Sequence, residues 1–370
     1  MTESAAFWLP VVWAVLAASA IFLYVILDGF DLGIGVLFLK ERDHDHRNVM
    51  VNTVAPVWDG NETWMIFGGA ALYGVFPVAY GTILPALYLP ILFMLLALIL
   101  RGVSFEFRFK MKSARSQLFW DASFCGGSIV AAFMQGVILG TLVQGIPVQN
   151  NVFVGTSLDW VTPFALFCGA AVTIGYALLG STWLIWRCEG ELQDTMRRVS
   201  YTLAGLMLLT IVAVSVWTPQ LHTTYMQHWL EWPQLALVLP VPVAVVAVAG
   251  ALFLGLRNRK SHLLPFISTL GLFFLCFSGL GINVWPYIVP PTITIWQASS
   301  PPSSQAFVLF GAMFMLPVIL GYTIYSYHVF RGKVTAEHHY HRSSGRSEHE
   351  NRVRTTPTET RSRCPDGTGR

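Results

Sequence analysis

The chain has 370 residues, 54% of them hydrophobic and only 12% charged, and its mean hydropathy is positive. That is more apolar surface than a water-soluble core can hide, which excludes an ordinary soluble enzyme and leaves a lipid bilayer as the solvent. The net charge of +3 names no partner by its total, so the placement of the 23 lysines and arginines is what carries information.

The N-terminal MTESAA has neither a basic stretch nor an A-x-A-like cleavage site, so the first apolar run is expected to remain as a spanning helix. Crossing a hydrocarbon layer of about 30 Å takes about 20 helical residues. Runs of that scale occur at Phe7–Leu39, Val54–Val75, Thr82–Leu100, Leu118–Leu142, Val161–Trp186, Tyr201–Trp217, Leu235–Leu256, Leu263–Trp285 and Ala306–Val329, nine in all. Helices are expected throughout, because an open strand edge in lipid leaves backbone groups unpaired. The predicted architecture is therefore an all-α, polytopic transmembrane domain over 7–330. A disordered tail over 331–370 follows, where the composition turns to His, Ser, Thr, Glu and Arg, and His338, His339 and His341 read as solvated rather than metal-binding.

Every cation falls in alternate connections. Lys40, Arg42 and Arg47 follow the first run; Arg101, Arg108, Lys110, Lys112 and Arg115 the third; Arg187, Arg197 and Arg198 the fifth; Arg257, Arg259 and Lys260 the seventh; nine more lie from Arg331 onward. The intervening connections, 76–81, 143–160, 218–234 and 286–305, hold none. Such alternation predicts an odd number of spans, with the N-terminus outside and the C-terminus in the cytoplasm. The cation-free connections carry Trp160, Trp229, Trp232, Trp285, Pro290, Pro291 and Trp296, as expected at a membrane interface.

An ionisable residue inside a span costs about 2.5–3.5 kcal/mol near the bilayer centre, so each one needs a reason. Asp28 and Asp31 (LDGFDLGIG) lie in the first run, and Asp59 and Glu62 (VWDGNETW) in the second, each pair sharing a helix face at i, i+3. The first run would be about 50 Å long as a helix. Its acids should lie toward the cytoplasmic end, at the depth of Asp59, so the four can converge in the inner leaflet. No cation is expected inside a helix to neutralise them; hydrogen bonds to Asn61, hydration, protonation or a loop cation such as Arg101 must serve. Two readings stand at this point. Buried carboxyls exchange protons readily, which suggests proton uptake from the cytoplasm, and polar contacts between helices or with another subunit would use the same residues. Gly29, Gly33, Gly35 and Gly60 read as close-packing positions rather than ligand-binding ones.

The ten histidines include His44, His46, His222, His228, His262 and His328, with four in the tail, and none is near the middle of a span. Membrane cytochromes fix haem with His or His/Met pairs inside the bundle, so no haem ligation is expected from this chain. Met65, Met94 and Met134 read as core. Cys125, Cys168, Cys188, Cys276 and Cys364 show no close pairing and read as packing residues or free thiols, not a metal site. Nothing resembles a P-loop, a nucleophile elbow or a Rossmann fingerprint. No catalytic residue and no nucleic-acid partner is expected.

Asp28-Gly-Phe-Asp-Leu-Gly-Ile-Gly35, Asn52-Thr-Val-Ala-Pro-Val-Trp-Asp-Gly-Asn-Glu-Thr-Trp64 and Arg101-Gly-Val-Ser-Phe-Glu-Phe-Arg108 together resemble subunit II of the cytochrome bd-type quinol oxidases. Gly145-Ile-Pro147 and Ser157-Leu-Asp-Trp-Val-Thr-Pro163 resemble the cyanide-insensitive branch, and the likeness covers about Phe7 to Arg331. The resemblance implies a respiratory terminal oxidase that oxidises ubiquinol and reduces oxygen to water. Haems b558, b595 and d and the quinol-oxidising loop would belong to subunit I. Subunit II would be its pseudo-symmetric partner, with a first four-helix bundle over 7–142, a second over 161–285 and a peripheral helix over 306–329. It also implies an acidic proton path, with Asp59 matching the family's inner carboxylate and Asp28 and Asp31 the acids of the first helix. Trp58 and Trp64 flank the motif and, with Asn61, would lie near the partner's haems, with interfacial packing as the plainer role of the two tryptophans. Some relatives carry an amide at the position of Glu62, which favours Asp59 over Glu62 as carrier, and in some a structural quinone binds subunit II. Two other readings share part of this pattern: a proton-coupled secondary transporter and a purely structural membrane scaffold. Against the first, the acids are confined to two helices, and the second half offers only neutral groups such as Asn283.

Overall fold

The computed structural model describes residues 3–111, 113–222 and 239–334. The described chain is almost entirely helical: α1 (Glu3–Leu37), α2 (His44–Asn52), α3 (Trp58–Val75), α4 (Pro77–Ala86), α5 (Tyr88–Lys110), α6 (Ala114–Gln144), α7 (Pro163–Arg187), α8 (Gly190–Trp217), α9 (Pro240–Arg257), α10 (Leu264–Val284), α11 (Ile295–Ala298) and α12 (Pro302–Val329). Two small antiparallel hairpins, β1–β2 (Val148–Gln149, Val152–Phe153) and β3–β4 (Tyr287–Val289, Ile293–Thr294), lie in cation-free connections. In the first, Asn150 and Asn151 both take positive φ, 51° and 62°, as a two-residue turn between right-twisted strands requires. Thr82 seats this hairpin on α4 by donating to the Asn151 carbonyl at 2.9 Å.

Eight of these helices are long and apolar enough to cross a membrane, and the α3–α4 pair makes a ninth only if counted as one span, although the two are bent by 119°. The polytopic all-α architecture is as expected, but the second and third spans differ in their limits. Residues 53–57 form turns and α3 starts at Trp58 rather than Val54, because Pro56 disfavours helix at the residue before it. Pro90 cannot donate to the carbonyl of Ala86, so the helix expected from Thr82 breaks at Leu87 and restarts as α5. At its far end α5 runs ten residues beyond Leu100, to Lys110. That stretch is amphipathic: Arg101, Ser104, Phe105 and Arg108 are buried, at spacing i, i+3, i+4, i+7. The expectation that no cation lies inside a helix is thereby corrected. The start of the seventh span at Leu235, together with Trp229, Trp232, Cys364 and the tail from residue 335, lies outside the described residues.

Helix α1 is the spine, packing on α7, α3 and α6. Three of its glycines make this approach feasible. A Cβ on Gly33 would sit 1.8 Å from the Tyr176 carbonyl oxygen of α7, one on Gly35 2.0 Å from Ser128 Oγ of α6, and one on Gly29 2.8 Å from the Tyr176 ring. The close-packing reading holds for these three, whereas Gly60 meets only Tyr322, at 3.4 Å. Helix α7 is the most enclosed span, with 61% of its apolar window buried, and α12 the least, with 6%. Met65, Met94 and Met134 join one apolar cluster with Leu98 and Ala131, and Cys125, Cys168, Cys188 and Cys276 are free thiols.

At the basic end, buried arginines tie connections to helix ends. Asp121 of α6 accepts from Arg47, at 2.9 Å, and from Arg108, which also donates to Asn48 at 2.6 Å. Arg197 donates to the carbonyls of Gly255, Leu256 and Asn258 at 3.0–3.3 Å, satisfying the orphan acceptors at the end of α9. Arg187 holds the end of α12 through the Phe330 carbonyl, and Lys333 pairs with Glu189 at 2.7 Å. Because the α1–α7 crossing is backbone against backbone, Gly33→Ala should destabilise the purified protein by about 3 kcal/mol, the top of the range for overpacking, seen as a lower melting temperature in detergent. Gly205→Ala, with open space around it, should melt as the parent does.

Candidate functional site

The buried carboxyls of α1 gather around one guanidinium. Asp28 and Asp31 are fully buried, and so is Arg101, which stands nine residues, or about 14 Å, inside the end of α5. Arg101 Nη1 lies 2.8 Å from Asp28 Oδ1 and 3.1 Å from Glu62 Oε1, and Nη2 lies 3.8 Å from Asp31 Oδ2. The Glu62 side chain is 23% exposed and forms the open edge of the cluster. Gly127 of α6 lets this part of α5 be enclosed, since a Cβ there would come within 2.7 Å of the Ala97 carbonyl.

Asn61 completes the group. Its Nδ2 donates to Asp31 Oδ2 at 2.8 Å and to the Leu27 carbonyl at 3.3 Å, while its Oδ1 accepts from the Tyr327 hydroxyl of α12 at 3.0 Å. A cavity of about 10 Å³, scarcely one water, adjoins it, lined by Gly60, Asn61, Thr323, Ser326 and Tyr327 among others. On the other side of Asp28, Gln135 of α6 bridges two tyrosines: Nε2 donates to the Tyr24 oxygen and Oε1 accepts from the Tyr176 hydroxyl, both at 2.7 Å. Several polar atoms of the cluster, Asp28 Oδ2, Asp31 Oδ1 and Arg101 Nε among them, have no hydrogen-bond partner of good geometry among the described residues.

Three of the four expected acids therefore meet; the fourth does not. Asp59 is exposed at the first turn of α3 and joins none of these ion pairs, a place where the helix dipole favours a carboxylate. Trp58 stacks on Phe105 with ring centroids 5.0 Å apart. Trp64 is 2% exposed and packs with Ala20 and Tyr24 inside the chain, so the expectation that it faces a partner is corrected in favour of packing. Sequence reasoning passed over Tyr24, Gln135, Tyr176, Tyr327 and Asp121. Gln135, a lone amide in an apolar run, and Asp121, an acid three residues inside the run expected from Leu118, carried a local signal.

No histidine among the described residues lies in the middle of a spanning helix, where a haem ligand is expected. Among the described residues His222 contacts the Gln144 carbonyl at 2.7 Å, His262 contacts Gln193 at 3.1 Å and His46 lies 3.3 Å from Glu41, all at or beyond helix ends. His44 opens α2 and His328 is in the last turn of α12. What such an arrangement can do chemically is hold and exchange protons, since three carboxyls share one cation. Replacing Arg101 with Met leaves those carboxyls without a counterion and should cost about 3–5 kcal/mol, as for other broken buried pairs. An unchanged melting temperature of the purified protein would show that the acids do not depend on the guanidinium.

The chain is similar to several known proteins. Cytochrome bd ubiquinol oxidase subunit 2 of Bacillus subtilis is 28% identical over 332 residues, covering 87% of this chain and 96% of the relative. Cytochrome bd-I ubiquinol oxidase subunit 2 of Escherichia coli K12 is 28% identical over 368 residues, covering 88% and 95%. The bd oxidase structure from Geobacillus thermodenitrificans contains a chain that superposes with a TM-score of 0.72 at 15% identity, over 87% of this chain and 98% of that one, a likeness of fold. A family model for cytochrome bd terminal oxidase subunit II matches residues 9–330, all the spans and none of the tail, and the chain belongs to that family.

Proposed function

We propose that this chain is the non-haem subunit of a heterodimeric bd-type quinol oxidase, supporting quinol oxidation coupled to the reduction of oxygen to water. Haems b558, b595 and d and the quinol-oxidising site belong to subunit I in this reading. The histidines at helix ends support it. The chain lies in a bacterial inner membrane with its basic end in the cytoplasm, supported by the one-sided distribution of cations. It is arranged as two bundles, 7–142 and 161–285, with α12 peripheral, in keeping with the low burial of α12. Family membership does not favour a proton-coupled carrier.

Its contribution to turnover is a path for protons from the cytoplasm. The observation that carries this is the surplus of carboxyls over cations at Arg101, with one member, Glu62, open at the edge. Asp59, one turn nearer the start of α3 and exposed on the single chain, is the first acceptor, and Glu62 passes the proton to the buried group.

Asp59→Asn in the assembled complex should cut quinol oxidase turnover by roughly 100-fold, the scale of a lost proton-transfer group, with haem content retained. Unchanged turnover would end the proton role. Haem lost together with activity would instead show that Asp59 serves assembly.

A further inference from the structure

We infer that Gln135 is a positioning residue for the acid cluster: through Tyr24 it aims a hydrogen-bond donor at Asp28 and fixes that carboxyl as the standing anion of Arg101, leaving Asp31 and Glu62 to exchange protons. The inference rests on the proton-path reading above and divides its labour among the three acids.

The direction of the hydrogen bonds carries the argument. Tyr176 spends its only proton on Gln135 Oε1, and Gln135 Nε2 spends one on the Tyr24 oxygen. The Tyr24 proton is then left over. One turn along α1 stands the Asp28 carboxylate, whose two oxygens have no hydrogen-bond partner of good geometry among the described residues, so the spare Tyr24 proton has an acceptor to turn toward. Every donor in the series thus points toward Asp28, and aligned donors strengthen one another. An amide relays protons poorly, so the series acts as a fixed dipole rather than a wire.

The packing is arranged for it. Gly29, beside Asp28, leaves room for the Tyr176 ring, which a Cβ would meet at 2.8 Å. Tyr24 and Tyr176 are 4% and 1% exposed. The charged and titratable groups that face Asp28 are Arg101 from α5 and Glu62 from α3, with Asp31 and Tyr24 on α1 itself and Tyr176 from α7. Helix α6 presents only the neutral Gln135, and α12 reaches the cluster through Tyr327 and Asn61 on the Asp31 side. Asp28 is the acid nearest the guanidinium, at 2.8 Å, against 3.8 Å for Asp31.

The test uses Tyr24→Phe and Gln135→Leu in the assembled complex, read by turnover against pH, haem content and the infrared carboxyl bands of the membrane-embedded protein. Losing a donor to a carboxylate should move the acid limb of the turnover profile upward by roughly one pH unit. It should also add a protonated-carboxyl band that vanishes when Asp28→Asn is combined with Tyr24→Phe. Gln135→Glu, which keeps an acceptor for Tyr176 and can hydrogen-bond Tyr24, should show a smaller shift than Gln135→Leu. If both variants keep the parent's pH profile and bands, or if only their melting temperature falls, the residues merely clamp α1, α6 and α7 and the inference is wrong. Should Asp59→Asn leave turnover intact while the Asp28 band still appears in Tyr24→Phe, the proton path fails and the positioning of Asp28 stands.

Discussion

Burying the Arg101 guanidinium is the constraint around which the first part of the chain is organised. Removing such an ion from water costs several kcal/mol even after relaxation, and only close, well-placed opposite charges offset it. Those charges come from α1 and α3, so the rotation and depth of both helices relative to α5 are set by a single side chain. The glycines of α1 and Gly127 of α6 remove the Cβ atoms that would hold the backbones too far apart for this. Aromatic rings close the remaining gaps, with Trp58 on Phe105 and Trp64 beside Tyr24.

Charge is used differently at the two depths. At the basic end, Arg47, Arg108 and Arg197 each donate to two or more acceptors, many of them backbone carbonyls, and they fix connections in place. The exposed Lys110–Glu106 pair at the same level is worth a few tenths of a kcal/mol at most. Deeper, the balance reverses and acids outnumber the cation. A matched cluster is rigid and inert, while an acid-rich one has protons to give and accept.

The spans were legible because apolar runs and one-sided cations are properties of short windows. The extension of α5 was equally present in the chain as buried spacing at 101, 104, 105 and 108, but charge counting alone files those residues under a loop. The break at Leu87 follows from Pro90, again a local signal. The face that Asp59 occupies was not legible, since it depends on how α3 is rotated by the burial of Trp64 and the stacking of Trp58. Nor were the partners of Gln135, which come from two other helices. Resemblance to a family supplied the roles; the geometry supplied which acids touch.

The hydrogen bond from Tyr327 to Asn61 joins residues 266 positions apart. Helices of a membrane protein are threaded into the bilayer one after another, so α1, α3 and α5 stand in place long before α12 exists. Until the last span arrives, the Asn61 amide is held only through its nitrogen, by Asp31 and the Leu27 carbonyl of α1, and its oxygen lacks the Tyr327 hydroxyl. The acid site thus reaches its finished form only when α12 has been delivered, and a chain stopped short of it would have all its carboxyls in place yet lack the hydrogen bond that caps Asn61.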